Sequence, residues 1–269
     1  MDRLPPELHD LVLGLACAAP GSHKVPRALS LTSTYFRAIA KPFLFHTIAV
    51  SSVAQATIIL ALLEVAPAHQ RSIRRLFIGA DLPQLTTFRL MHFAAPTVHD
   101  LAIVAESALL STIFRMLLPQ LRALAVRGFY PLPRPGAFPI LTHLHVSGRH
   151  SPGGLPPALA RACPALTHIR VSSLRAAPAF AREMRAALEA EDARPPLASV
   201  ILEAQPPPDG ARLSKVDYAR DAEMRDILSG LDTSLRSRGR TNAPCMTFLD
   251  RMDDDVEGMK RSWLVLGCP

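Results

Sequence analysis

One six-residue pattern, apolar-x-x-apolar-x-apolar, constrains the fold of this chain more than any other feature of its sequence. It reads FHTIAV (45–50), IRRLFI (73–78), VHDLAI (98–103), LRALAV (121–126), LTHLHV (141–146), LTHIRV (166–171) and LASVIL (197–202). Apolar residues at positions four and six, separated by one residue, mark a strand with a buried face. The starts fall 28, 25, 23, 20, 25 and 31 residues apart, which leaves room for a helix between most strands. Candidate helices occupy 53–66, 83–94, 106–118, 155–163 and 178–191, and SALLSTIFRMLL (107–118) sets Leu110, Ile113, Phe114 and Leu117 on one face. Strand, helix and strand in one register predict parallel strands joined by right-handed crossovers. The expected class is therefore α/β with a parallel sheet, curved into a solenoid. LTTFRL (85–90) fits the pattern by letters, but it starts 12 residues after one strand and 13 before the next. That is too close for a parallel crossover, so we read 83–94 as a helix with Leu85, Phe88 and Met91 turned inward.

The chain opens MDRLPPELHDLVLGLACAA, whose apolar run at 11–19 invites a secretory reading. The first ten residues set Asp2, Glu7 and Asp10 against Arg3 alone, the wrong sign for a signal segment. Pro5 and Pro6 suit the first turn of a helix, and Leu8, Leu11, Val12 and Leu15 then recur on one helical face. A second helix follows from Pro26 through Ala28, Leu29 and Leu31. A third carries Phe36, Ile39, Ala40 and Phe43, and Pro42 closes it. Three short amphipathic helices bury little among themselves, so their apolar faces require a neighbouring domain or a partner.

With 269 residues, 49% of them hydrophobic, the chain can bury a sizeable core. No apolar stretch reaches the roughly 18 to 20 residues of a membrane span; the nearest, ATIILALLEVA (56–66), is short and contains Glu64. Cys17, Cys163, Cys245 and Cys268 show neither CxxC nor zinc spacing. We read them as free thiols of a reducing compartment, cytoplasmic or nuclear. The net charge of +7 comes from basic residues scattered singly. No zinc finger, basic zipper or aromatic-interleaved basic strand accompanies them, so specific nucleic-acid binding is not expected. Neither GxSxG, a Walker loop, GxGxxG nor HExxH occurs, and a non-catalytic chain without cofactor is the expectation.

Template positions three, five and seven point to the opposite strand face. There the register places Asp100, Ala102 and Val104, then Ala123, Ala125 and Arg127, then His143, His145 and Ser147, then His168, Arg170 and Ser172. Adjacent parallel strands lie about 4.8 Å apart, so His143 and His168 become neighbours. With His145 they form a three-imidazole patch flanked by Arg127 and Arg170. Imidazole suits zinc or nickel, yet histidines in no ligand motif beside two cationic arginines argue against a metal, and none is assigned. The expectation is an exposed surface that contacts a protein partner through Asp100, Arg127, His143, His145, His168 and Arg170. Imidazoles this close would titrate together, linking that contact to pH between roughly 5 and 8.

LPPELHDLVLGL followed by ALSLTSTYFRAIAKPFLF resembles an F-box, the three-helix module that docks onto the Skp-type adaptor of cullin ubiquitin ligases. The matching positions are Leu4, Pro5, Glu7, Leu8 and Val12, then Leu29, Leu31, Ser33, Phe36 and Arg37, with Leu44 and Phe45 at the bulky end of the third helix. The resemblance covers residues 3–46. It departs from the family in a long linker (Ala18–Lys24, holding Gly21 and Ser22) and in Phe36, where tryptophan is frequent. The downstream spacing is close to the 20–29 residues of leucine-rich repeats, without their usual asparagine. The layout looks like the fungal F-box-like proteins with irregular repeats. What the resemblance implies is a substrate-recognition subunit of an SCF-type ligase. Residues 1–44 would hold the adaptor, through Leu4, Pro5, Glu7, Leu8, Val12, Leu29, Leu31, Ser33 and Phe36, and the repeat face of 45–204 would hold an unidentified target. After residue 205 the pattern stops, and 205–269 is expected to be an irregular tail with one polar helix around AEMRDILSGLDTSL (222–235). Its Asp253, Asp254 and Asp255 read as a solvated charge run, and its Trp263 has no assigned place. The alternative is a repeat scaffold in which the N-terminal helices only cap the first repeat.

Overall fold

All seven copies of the apolar pattern form strands, which the computed structural model places in one sheet. It describes residues 5–18, 24–79, 82–105, 107–148, 154–189, 197–204, 214–237 and 245–250. The strands are β1 (Thr47–Val50), β2 (Arg75–Ile78), β3 (Asp100–Val104), β4 (Ala123–Arg127), β5 (His143–Ser147), β6 (His168–Leu174), β7 (Ser199–Ala204) and β8 (Cys245–Asp250). Their order in the sheet follows the chain, β1 to β8. β1 and β2 are parallel, as are the successive pairs from β4 to β8. Equivalent template positions stand side by side: Ile48 pairs with Leu76, and Leu124, Leu144, Ile169, Val200 and Met246 form one row. Every residue at positions four and six of the seven copies is at most 4% exposed, each such side chain contributing about 1.5–3 kcal/mol of apolar burial.

A backbone device repeats at the strand entrances. The carbonyl just before one strand accepts two N–H groups from the start of the next. His46 accepts from Arg74 (3.0 Å) and Arg75 (2.8 Å), and Arg122 accepts from Thr142 (2.8 Å) and His143 (3.0 Å). Thr142 accepts from Thr167 and His168 (both 2.9 Å), and Thr167 from Ala198 (2.7 Å) and Ser199 (3.1 Å). A slip of one residue would break these bonds and turn each apolar set to the wrong face.

The described residues fall into two compact units that divide between Ala102 and Ile103. In the first unit, α1 (Pro6–Ala18), α2 (Val25–Thr32) and α3 (Thr34–Ala40) precede β1, and a 3₁₀ turn at Lys41–Phe43 ends the run at Pro42. α4 (Val53–Val65) begins where the Ser52 hydroxyl accepts the Gln55 N–H, and it turns Ala56, Leu60 and Leu63 inward. α5 (Gln84–Ala94) covers the predicted helix with a shifted stripe. Met91 is buried as expected and Phe88 half-buried, but Leu85 is 72% exposed, and Thr87, Leu90 and Ala94 are buried instead. Thr87 tolerates this because its hydroxyl donates to the Pro83 carbonyl one turn back, at 3.3 Å.

In the second unit, α6 (Ser107–Ile113) is shorter than its apolar spacing suggests. Leu110, Ile113 and Phe114 are buried as expected, but Leu117 faces solvent and Leu118 replaces it inside. α7 (Leu155–Ala162) and α8 (Pro178–Glu189) match the expected helices. Ile169 at position four of β6 lines a groove of about 470 Å³ with Pro156 and Leu159 of α7 and Met184 and Leu188 of α8. That contact identifies the even positions as the helix-covered face. The sheet also continues beyond the sequence pattern. α9 (Lys215–Ser237) buries Met224, Leu228 and Leu231, and CMTFLD (245–250) follows as β8, pairing with β7. Leu4, Gly21, Ser22, Asp253, Asp254, Asp255 and Trp263 lie outside the described residues.

Gly128, just past β4, has φ +136°, and a Cβ there would stand 2.0 Å from the Ala105 carbonyl oxygen. Backbone cannot move aside as a flexible side chain can. Gly128→Ala is therefore expected to lower unfolding free energy by about 3 kcal/mol or more, read as a drop in the urea midpoint.

Candidate functional site

The residues singled out from the sequence lie on the N-terminal helices of the first unit and on the strands, Asp100 in the first unit and the others in the second. In the first unit, α1 is apolar on two sides. Leu13 and Cys17 are buried, while Leu8, Leu11, Val12 and Leu15 all face solvent, Leu11 at 58% and Leu15 at 66%. The face is held in place by contacts to α3. His9 Nδ1 lies 2.7 Å from the Tyr35 hydroxyl, and the His9, Tyr35 and Phe36 rings pack against one another at 5.5–6.4 Å. Leu31 (74%), Tyr35 and Leu44 are further exposed apolar side chains of this unit. Of the residues expected to meet an adaptor, Pro5, Glu7, Leu8, Val12 and Leu31 are exposed, and Leu29 and Phe36 are half-buried. Ser33 is exposed too, but its hydroxyl is engaged as the cap of α3, accepting the Phe36 N–H at 3.1 Å. Leu11, Leu15, Tyr35 and Leu44 were absent from that set, although the i, i+3, i+4, i+7 spacing already marks Leu11 and Leu15.

The strand face differs more from expectation. In the first unit Asp100 is partly buried and forms an ion pair with Arg75 Nε at 3.3 Å. Phe77 and Ala102, both at position five, are fully buried. In the second unit His168 is exposed, and His143, Arg127 and Arg170 are intermediate. His145 is 4% exposed and Ser147 6%, so neither belongs to an open surface. The reason is that the polar side chains bind one another. His145 Nε2 lies 2.7 Å from Ser172 Oγ, and Ser147 Oγ lies 2.9 Å from Ser173 Oγ. Arg170 Nη2 donates to both oxygens of the buried Glu203 carboxylate, at 3.1 and 3.2 Å. The register already places Ser172 on this face, whereas Glu203 and Ser173 are not among the positions read from the sequence. The expected three-imidazole patch is thus a pair: the His143 and His168 rings stack with centroids 4.3 Å apart and 5° between planes, while His145 sits below in a separate network.

Burial, and then the charges of Arg170 and Arg127, push the His145 pKa down to about 3. An imidazole so weakly basic cannot take the Ser172 proton near neutral pH, so their short contact is structural. His46, desolvated and beside Arg74 and His99, is lowered to about 4. Burial pushes Cys163 up to about 12 and raises Cys17 as well, which leaves both thiols inert.

Two predictions arise here. The unfolded chain protonates its histidines near pH 6.5, whereas folded His145 and His46 resist until about pH 3 and 4. Between those values the unfolded state binds more protons, so stability falls as pH falls. Each buried imidazole contributes up to about 1.4 kcal/mol per pH unit, the more exposed His46 less. Urea midpoints between pH 7.5 and 4.5 should show that slope, and His145→Gln should flatten it. Glu203→Ala removes the carboxylate that accepts from Arg170 Nη2 and should cost about 3–5 kcal/mol, with Arg170→Met plus Glu203→Leu recovering most of the loss.

No helix among the described residues is long and apolar enough to cross a membrane. Among the same residues no group of three or more His, Cys, Asp or Glu is arranged to hold a metal ion. No family model, curated protein or solved structure matches the chain.

Proposed function

We propose that this chain is a substrate-recognition subunit of an SCF-type cullin ubiquitin ligase. In this reading α1–α3 form an F-box-like module that docks a Skp-type adaptor, and the strands and helices from β1 onward form an irregular leucine-rich-repeat-like array that holds a target protein. The chain performs no chemistry itself. By tethering target and ligase together it raises their effective concentration. The cytoplasm or nucleus, where that machinery works, is the compartment the reading requires.

One observation carries the proposal: Leu8, Leu11, Val12 and Leu15 form a continuous apolar stripe on α1 that faces solvent. Exposed apolar patches of this kind mark interaction sites. Two of the four, Leu8 and Val12, fall on the LPPEL…V positions that carry the F-box resemblance. A module serving only as a cap needs a single apolar side, and Leu13 and Cys17 already supply it; the second, outward stripe favours docking. For the target, the reading keeps Arg127, His143, His168 and Arg170 of the second unit as candidate contacts, takes Asp100 of the first unit by itself, and drops His145, which is buried.

Purified Skp-type adaptor, immobilised, should retain the wild-type chain and fail to retain Leu8→Asp plus Val12→Asp. Equal failure of both proteins removes the ligase role.

A further inference from the structure

The odd template positions are shielded from water, although the helices that connect the strands lie on the other face of the sheet. The strands follow one another in the order β1 to β8, and right-handed crossovers between parallel neighbours set their helices on one common side, the side of the even positions. In the first unit Phe77, at position five, is nonetheless 0% exposed. Its register partner in β1 is Ala49, Ala102 holds the same position in β3, and Gly79 follows two residues along the strand. A phenylalanine offers about 150–250 Å² for burial, far more than two methyl groups and a glycine beside it can cover. Water does not reach Arg75 Nε on this face either. In the second unit the same holds for His145 Nδ1 and Arg170 Nε, both at position five. Position five therefore lies under a cover that the strands themselves do not supply.

We infer that the cover is the segment 251–269 of this same chain, laid over the odd face as an intramolecular strap. Of the stretches beyond the described residues, it alone contains four consecutive large apolar residues, Trp263, Leu264, Val265 and Leu266. A tryptophan supplies the area that a buried phenylalanine needs above it, and the two rings pack edge to face or offset. Trp263 is thus the partner of Phe77 in the first unit. Charge points the same way in the second unit. There Arg127 and Arg170 outnumber the Glu203 carboxylate on the odd face, and Asp253, Asp254 and Asp255 come three to five residues after β8 ends at Asp250. Extended chain of that length reaches about 10–18 Å. Arg170 sits on β6, two strand spacings from β8, or about 9.6 Å. The acidic run therefore meets guanidinium groups, which attract it more strongly on a water-poor face than in solvent. Any other ligand of position five has to displace the strap first.

Trp263 is the single tryptophan of the chain, so its fluorescence reports on the strap without a label. Acrylamide should quench the native full chain at least about threefold less than the same chain in urea, because a close-packed indole is screened from a polar quencher. Phe77→Leu keeps an apolar side chain under the strap but removes the ring, and the void it leaves should raise native quenching at least about twofold. Asp253→Asn plus Asp254→Asn plus Asp255→Asn alters no described residue and should raise native quenching as well. Far-UV circular dichroism and thermal melts check that each variant keeps its fold; if Phe77→Leu loses it, the triple asparagine variant decides. Native quenching as strong as in urea overturns the proposal. So does quenching left unchanged by either substitution in a folded chain, which places Trp263 away from this face.

Discussion

Val146→Asp should leave the protein unfolded at 25 °C. Val146 is 1% exposed and stands in register between Val126 of β4 and Val171 of β6, in the row packed under the helices. Losing the valine removes about 1.5–3 kcal/mol of burial, and an unpaired carboxylate there costs several kcal/mol more. Their sum is comparable with the whole stability of an ordinary domain, about 5–15 kcal/mol. Far-UV circular dichroism and gel filtration read the loss directly. The next residue looks like a tolerant control by strand alternation alone, since Ser147 points to the other face. Its burial and its contact with Ser173 remove that tolerance, and Ser147→Asp should also destabilise. The neutral control is His168→Gln, an exposed position, expected within about 0.5 kcal/mol of wild type.

The second large effect is on binding. Leu8→Asp plus Val12→Asp should lower affinity for a Skp-type adaptor by at least 100-fold while leaving the melting temperature nearly unchanged. Both side chains are exposed in the isolated chain, Leu8 at 44% and Val12 at 58%, so replacing them removes little folded contact. In a complex each would bury an apolar side chain worth roughly 1.5–3 kcal/mol, and each aspartate would bring a carboxylate into a desolvated interface. A hundredfold change corresponds to about 2.7 kcal/mol, less than the two losses together. Leu13→Asp offers the contrast: Leu13 is on the buried side of α1, and its substitution should lower stability first.

Much of the scaffold is legible in the sequence because burial at positions four and six obeys a strict period. The seven strand starts, their register and the helices α4, α7 and α8 follow from spacing alone. β8 escaped because APCMTF (243–248) leads with alanine and follows LASVIL by 46 residues, a gap filled by α9 rather than by one short helix. In α5 and α6 the structure departs from the apolar spacing at Leu85 and Leu117, while Met91, Leu110, Ile113 and Phe114 are buried as expected: Pro83 starts α5 at Gln84, which swings Leu85 outward, and α6 stops at Ile113, which frees Leu117. The strand face was the least legible. Alternation says which way His145, Ser147 and Arg170 point, but not that Ser172, Ser173 and Glu203 bind them. Those partners lie 26–33 residues away in sequence and meet only through the sheet. The stacking of His143 on His168, by contrast, followed from register plus strand spacing.

The outward stripe of α1 is the proposed grip for a ligase adaptor. Amide hydrogen exchange of the wild-type chain, with and without purified Skp-type adaptor, tests it most directly. The prediction is slowed exchange over residues 6–18 and 25–40, with β5 and β6 unchanged. Identical exchange in those helices at saturating adaptor, or protection confined to the strands, contradicts it.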